Sequence, residues 1–313
     1  VGKIPSSWVW IAMSQTAVVT AEPAAVGTMA KSPFCSLEHL NLNVAEWNPE
    51  LEKFWFEALG CANDPRAEGV FQAIRGAGGT CSGLVWANIG LQQIHMPLAE
   101  PENPSQQGRG ELGLGFRDLS LLKKRLEEHN VAFEEVSSEG PFAAGLRFKS
   151  PTGVRFRAQV VDTEVIGPPE ALAAPKSVGL PGGPSFGIGL LYAEFVCEVG
   201  MAEPIANFYQ KVLGVTAKLS QGTCVVPLQD QSLIFREISG EVEPYDGHHV
   251  AIYVGDISSG DSIESFKAMY LRSAEAGLVW NNPRFPQLTY DTLEDALRLN
   301  EFRVKDIIDP ATG

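Results

Sequence analysis

Cysteine has the widest range of possible chemistry in this sequence, because it can form disulfides, bind zinc or act as a nucleophile. The chain has five cysteines, an odd number, and no C-x-x-C pair. This spacing indicates neither a disulfide framework nor a zinc knuckle. We expect buried, reduced thiols in a soluble protein of a reducing compartment, the cytoplasm or the plastid stroma. The five positions are Cys35, Cys61, Cys81, Cys197 and Cys224.

Glycine and serine motifs of common cofactor and hydrolase sites are absent from the sequence. No G-x-G-x-x-G or G-K-[ST] pattern occurs, and the pair Gly113 and Gly115 lacks the spacing that a dinucleotide loop needs. No G-x-S-x-G pattern occurs either, so a serine hydrolase has no support. We therefore expect no nucleotide cofactor.

The charge balance limits the classes of partner. The 313 residues include 24 Lys and Arg against 38 Asp and Glu, a net charge of −14. The densest basic cluster, Lys123 to Arg125, is followed at once by Glu127 and Glu128. Phosphate backbones would repel such a chain, so we expect no nucleic-acid partner. No apolar run reaches the ~18 residues of a membrane span. Small molecules and other proteins remain as partners.

Composition divides the chain into four parts. Residues 163–187 are rich in proline and glycine, which is typical of a linker. They separate two regions of similar length, 34–162 and 188–313, which we expect to be two domains. Residues 1–33 have little charge and no clear period, and we interpret them as an arm that docks on a partner, as the end of a transit peptide or as a floppy segment.

The two regions repeat one pattern of strand, helix and short strands. Each first helix ends in an aromatic segment, FWFEALG up to Gly60 and FYQKVLG up to Gly214, and the two align without a gap. We expect Phe54 and Phe208 to be buried at equivalent positions.

A second unit follows in each region. Asp118 is the expected N-cap of a helix with Leu122 and Leu126 on its apolar stripe, and the matching helix spans about 262–276. The last predicted strand begins at Phe302 and runs into the turn DPATG at the end of the sequence. The chain is therefore read as four units, of which the fourth lacks its last strand.

These segments resemble the vicinal oxygen chelate superfamily, the group of glyoxalase I, bleomycin-resistance proteins and extradiol dioxygenases. The resemblance rests on H-x-N-x-N-V at His39, FYQKVLG at Phe208, GHHVAIYV at Gly247 and the turns SPTG and DPATG. It implies an α+β fold of tandem βαβββ modules, paired into two glyoxalase-like domains with curved mixed sheets. We expect each half of the chain to close one cleft of its own.

The resemblance also implies metal sites, with ligands from the first and last strands of each module. Such ligands suit Zn, Ni, Fe or Mn and leave open positions for a substrate. Carried over to this chain, the ligand positions are His39, His95, Glu111, Glu194 and His249. The other positions fall on Arg157 and Phe235, which cannot ligate a metal, and beyond Gly313.

Two interpretations of these positions stay open. In one, His39, His95 and Glu111 converge on one cleft and hold a divalent metal. In the other, Glu111 and Arg157 form an ion pair that closes the cleft, and the histidines only fill space. A one-residue error of register is a third possibility.

Two functions correspond to these interpretations. One is a small-molecule-binding or scaffold subunit with degenerate metal sites. The alternative is a metal-dependent lyase or isomerase of the lactoylglutathione lyase type, or a dioxygenase. The incomplete ligand sets favour the first.

Overall fold

The computed structural model describes residues 8–13, 34–78, 82–101, 104–162, 180–254, 262–283 and 285–309. Within these ranges the structure is mixed α+β. No helix there is both long enough and apolar enough to cross a bilayer.

The chain contains four successive modules that each begin with a strand and a helix. Module 1 contains β2 (Phe34–Asn41), α1 (Pro49–Glu52), the π-helix π1 (Lys53–Ala58), β3 (Ala62–Asn63), α2 (Arg66–Gly76), β4 (Leu84–Ile89) and β5 (Gln92–Pro97). Module 2 contains β6 (Glu111–Phe116), α3 (Leu119–Glu128), β7 (Phe133–Val136), β8 (Gly145–Lys149) and β9 (Arg155–Val160). Module 3 contains β10 (Gly189–Glu198), α4 (Ala202–Asn207), π2 (Phe208–Leu213), β11 (Lys218–Ser220), β12 (Thr223–Pro227) and β13 (Ser232–Ile238). Module 4 contains β14 (His249–Val254), α5 (Ser262–Glu275), α6 (Leu293–Leu299) and β15 (Glu301–Val304).

Two sheets hold these strands, and each sheet joins modules from both halves of the chain. The first has seven strands in the order β15-β1-β14-β2-β5-β4-β3, where β1 is Trp8–Met13. The second has eight strands in the order β11-β12-β13-β10-β6-β9-β8-β7. Module 1 therefore pairs with module 4, and module 2 with module 3. The predicted fold class is confirmed, but the expectation that each half closes its own cleft is wrong.

Glycines in β6 and directly before it explain why module 2 pairs with module 3. A Cβ at residue 113 would overlap the ring of Tyr192, and one at residue 110 would overlap the carbonyl group of Glu194. Both neighbours lie on β10, which runs antiparallel to β6. The GELGLG segment is therefore shaped for close approach by a strand of the second half.

Strand β1 lies beside β14 and runs parallel to it, as β5 runs beside β2 and β9 beside β6. It thus takes the place of a last strand in module 4, where the sequence indicated that none would be found. Residues 1–7 and 14–33 of the predicted arm lie outside the described residues. So do residues 163–179 of the predicted linker and 310–313 of the final turn; 180–187 form turns and bends.

The two aromatic segments form matching π-helices, as their alignment in the sequence predicted. Phe54 and Phe208 are both buried, at 2% and 0% exposure. Each ring meets the next aromatic residue edge-on at 5.3 Å between centroids, Phe54 with Trp55 and Phe208 with Tyr209. The glycine that ends each segment has a positive φ, 65° at Gly60 and 71° at Gly214, as a left-handed helix end requires.

An arginine from the following module binds the C-terminal carbonyl groups of each π-helix. Arg125 on α3 donates to the carbonyl oxygens of Glu57 and Ala58, and Arg272 on α5 donates to those of Val212 and Leu213. A cation at a helix C-terminus satisfies carbonyls that have no partner within the helix. Each helix is thereby fixed to the neighbouring module.

The structure contains the helix N-cap that the sequence predicted at Asp118. Asp118 accepts hydrogen bonds from the N–H groups of Ser120 and Leu121 and so caps α3 as predicted. Helices α2 and α6 were not predicted.

Buried apolar side chains from all four modules form one contiguous core, so the two sheets share one hydrophobic interior.

Candidate functional site

In modules 1, 2 and 3, the first and last strands bring one pair of side chains together by a constant offset. His39 is opposite Gln93 in the β2–β5 ladder, and the residue two positions further along β5 is His95. Glu111 is opposite Arg155 in the β6–β9 ladder, and the residue two positions further is Arg157. Strand side chains alternate between faces, so this offset keeps both members of a pair on one face.

On the seven-stranded sheet, the pair His39 and His95 faces a cavity of about 350 Å³ together with His249 from β14. Its apolar lining comes from Val70, Ile74, Leu84, Trp86, Phe285 and Leu288. The size and the mainly apolar lining are those of a small-molecule site.

Three aromatic rings are stacked along one wall of this cavity. The rings of Trp86 and His95 are parallel to within 5°, with centroids 4.1 Å apart. His95 in turn stacks on His39 at 3.7 Å and 18°. His249 meets His39 edge-on at 6.1 Å. Stacked and edge-on rings stabilise each other beyond the area they bury, so this wall is held rigid.

Polar contacts hold the rings of His95 and His39, and burial favours the neutral form of His95 and His249. His95 Nε2 lies 2.9 Å from Gln93 Oε1, and His39 Nδ1 lies 3.3 Å from a carboxylate oxygen of Glu38. Burial, with His39 nearby, lowers the pKa of His95 and of His249 well below the ordinary value. Neutral imidazoles with a low pKa are weak bases. They suit hydrogen bonding to a ligand better than proton abstraction at neutral pH.

The free energy of unfolding should therefore decrease as the pH is lowered below about 6.5, the ordinary histidine pKa. The unfolded chain binds protons there that native His95 and His249 do not, so stability is lost as pH falls. Each histidine contributes a slope of up to about 1.4 kcal/mol per pH unit. Urea denaturation between pH 7.5 and 5.0 measures it. In the double variant His95→Gln/His249→Gln the free energy of unfolding should depend less steeply on pH. An unchanged pH dependence would contradict a lowered pKa for these two histidines.

The observed arrangement of the three histidines does not fit a shared metal ion. Imidazole lone pairs lie in the ring plane, and Zn–N distances are about 2.0–2.1 Å. The nearly parallel planes of His39 and His95 therefore do not meet at one ion. Across the described part of the chain, no group of three His, Cys, Asp or Glu residues is arranged to hold a metal.

On the eight-stranded sheet, the equivalent positions are occupied by ion pairs. Arg157 is 1% exposed, and its Nε donates to Glu111 Oε1 at 2.9 Å. Arg147 donates to the other oxygen of Glu111 at 2.6 Å, and the Tyr192 hydroxyl donates to Oε1 at 2.9 Å. The carboxylate of Glu111 is thus surrounded by two guanidinium groups and a phenol.

Glu194 has the same kind of partner in module 3. It is opposite Ile234 in the β10–β13 ladder, so the two-residue offset leads to Arg236. Arg236 Nε donates to Glu194 Oε1 at 2.6 Å. The prediction of Phe235 for this position is wrong by one residue, because a shift of one moves a strand side chain to the opposite face. Burial raises the pKa of Glu194 despite this arginine.

These ion pairs leave no place for a metal at Glu111 and Glu194. A guanidinium donates hydrogen bonds only, and its charge lies beside each carboxylate where a cation would bind. The ion pair predicted between Glu111 and Arg157 is present. The expectation that His39, His95 and Glu111 share one cleft is wrong, because Glu111 lies on the other sheet.

Comparison with solved structures finds similar proteins at low sequence identity. The chain is similar to glyoxalase I from Zea mays, with 14% identity and a TM-score of 0.48 over 79% of this chain and 83% of that one. It is similar to a presumed dioxygenase from Bacillus subtilis, with 12% identity and a TM-score of 0.49 over 81% and 78%. A presumed glyoxalase-family protein from Bacillus anthracis matches 41% of this chain and 95% of its own, with 17% identity and a TM-score of 0.33. No family model and no curated protein sequence matches.

The structure adds site residues that sequence reasoning missed. Trp86 stacks on His95 because β4 pairs with β5, and Trp86 is opposite His95 in that ladder. Of the neighbouring histidines in GHHVAIYV, His249 lines the cavity as the resemblance implied. His248 is buried against Phe195, and its ring contacts Asp246. A larger groove of about 520 Å³ lies between α1 and the strands β7 and β8, away from His39, His95 and His249.

Proposed function

We propose that this protein binds a small, largely apolar molecule in the cavity of the seven-stranded sheet. The observation that supports this most strongly is the contrast between two equivalent places. One sheet has an open cavity with His39, His95 and His249 on its wall. The other has buried carboxylates closed by Arg157 and Arg236, so its role is to support the fold.

The proposal is of a binding site without a metal. The metal-ligand roles of His39, His95, His249, Glu111 and Glu194 remain predictions of the family resemblance. The stacked rings and the ion pairs do not favour them. A metal-dependent lyase or isomerase would need the histidine rings to turn out of their stack.

An uncharged fluorescent probe, N-phenyl-naphthylamine, tests the binding site. Its emission rises in apolar surroundings, so a titration should give saturable binding to the wild-type protein. Ala73 lines the cavity and is exposed on α2, so Ala73→Trp should block the cavity without disturbing the core. We expect this variant to bind the probe at least about tenfold more weakly, a difference of about 1.4 kcal/mol.

Gln72→Trp is the matched control. It places the same indole one residue away on α2, at an exposed position that does not line the cavity. Exposed substitutions of this kind usually change stability by less than about 0.5 kcal/mol. Absence of saturable binding to the wild type, or equal affinity in the two tryptophan variants, would reject the proposed site.

A further inference from the structure

The charges around the histidine cavity limit what it can accept. Apart from its histidines, the described residues that line it include two carboxylates, Glu38 and Glu301, and one guanidinium, Arg303. One positive against two negative charges gives these three groups a sum of −1. An anionic ligand would lose its hydration on entering the cavity, and these groups offer it no excess of positive charge. Burial of such an uncompensated charge is costly.

The single guanidinium is already engaged by its neighbours. Arg303 forms an ion pair with Glu301 at 3.5 Å. Its guanidinium carbon also lies over the rings of Phe285 and Tyr290, at 4.9 and 5.9 Å from the centroids. These contacts hold the charge against the wall and stabilise it there.

The amide side chains of Asn41, Asn43 and Gln106 bind one another and neighbouring backbone groups. Asn41 donates to Asn43 Oδ1 at 3.0 Å, and Gln106 Oε1 accepts from the backbone N–H of Asn43 at 2.8 Å. Gln106 Nε2 donates to the carbonyl oxygen of Asp246 at 3.0 Å. The other polar side chains that line the cavity include the three imidazoles and the amides of Asn282 and Gln287.

Resting on the binding function proposed above, we infer that the ligand is an uncharged aromatic molecule rather than an anion such as a carboxylate or a phosphate. An imidazole ring nitrogen donates or accepts a hydrogen bond, which matches a hydroxyl, carbonyl or amine on such a ring. The apolar lining and the stacked rings bind the remainder of the molecule.

A matched pair of probes tests this inference. Anilinonaphthalene sulfonate has the ring system of N-phenyl-naphthylamine with one added negative charge. Both are titrated into the wild type and into Ala73→Trp at pH 8.0, and the part of each signal that the variant loses reports the cavity. We expect the sulfonate to bind the cavity at least about tenfold more weakly than the uncharged probe, a difference of about 1.4 kcal/mol.

Glu38→Gln tests whether the affinity difference between the probes arises from the charge of the sulfonate rather than from its size. It removes one negative charge from the lining, so it should narrow the affinity difference between the probes by several fold. Glu46→Gln, at an exposed position away from the cavity, should leave the difference unchanged. Equal affinity of both probes for the cavity would overturn the inference and leave the binding site standing. Failure of both probes to bind would reject the binding site and the inference together.

Discussion

Replacement of Arg157 by methionine should lower the free energy of unfolding by about 3–5 kcal/mol, the usual cost of breaking a buried ion pair. The guanidinium is 1% exposed and binds Glu111, which would be left buried. A hydrogen bond of 3.0 Å to the carbonyl oxygen of Ala143 would also be lost. Because Arg147 still neutralises part of the charge, we expect the lower end of this range. Urea denaturation at pH 7.5 measures it.

Arg155→Met is the control for this prediction. Arg155 lies two residues earlier on β9, is exposed, and donates to the carbonyl oxygen of Gly110. Its loss should cost less than about 1 kcal/mol. The double variant Glu111→Gln/Arg157→Met should recover part of the stability, because it removes the unpaired charge. Equal costs for Arg157→Met and Arg155→Met would show that the buried pair does not stabilise the eight-stranded sheet.

Phe208→Ala should also lower the free energy of unfolding by about 3–5 kcal/mol, and Phe54→Ala by a similar amount. Both rings are buried within equivalent π-helices, so each truncation leaves a cavity in the shared core. Leu219→Ala, at a side chain that is 49% exposed, should change stability by less than about 0.5 kcal/mol. Denaturation of all three variants checks this. A cost that differed by more than about 2 kcal/mol between the phenylalanines would contradict their equivalence.

The parts of the fold that depend on local sequence could be predicted. The aromatic helix ends, the N-cap at Asp118 and the four-module repeat rest on contacts between residues close in the chain. The pairing of modules across the two halves could not be predicted in this way. It depends on the clearance that Gly113 leaves for Tyr192, 79 positions further along the chain.

The sequence pointed to the three histidines of the cavity but not to their arrangement. His39, His95 and His249 lie around one cavity, and Glu111 and Glu194 lie on the other sheet. The error at Phe235 arose because Leu233, Ile234 and Phe235 form a continuous apolar run just before Arg236. A run of this kind gives no alternation from which the register could be read. The ring stack depends on the β4–β5 pairing and has no signal in the sequence.

The two sheets have therefore diverged in the use of equivalent positions. In one, each first-strand carboxylate is bound by an arginine two residues beyond its partner in the ladder. In the other, two stacked imidazoles occupy the same positions beside a cavity. The first arrangement satisfies buried charge within the protein, and the second places imidazole rings beside an open cavity. Binding is thus expected at the cavity of the seven-stranded sheet.

A crystal structure of the wild-type protein grown with N-phenyl-naphthylamine is the most direct test of this account. The naphthyl ring should lie in the cavity of the seven-stranded sheet, against the wall of Trp86, His95 and His39 and opposite Phe285, with the imidazole stack intact. A probe bound instead in the groove between α1 and the strands β7 and β8 would contradict the account. So would a metal ion, identified by its anomalous scattering, that is bound by His39, His95 and His249.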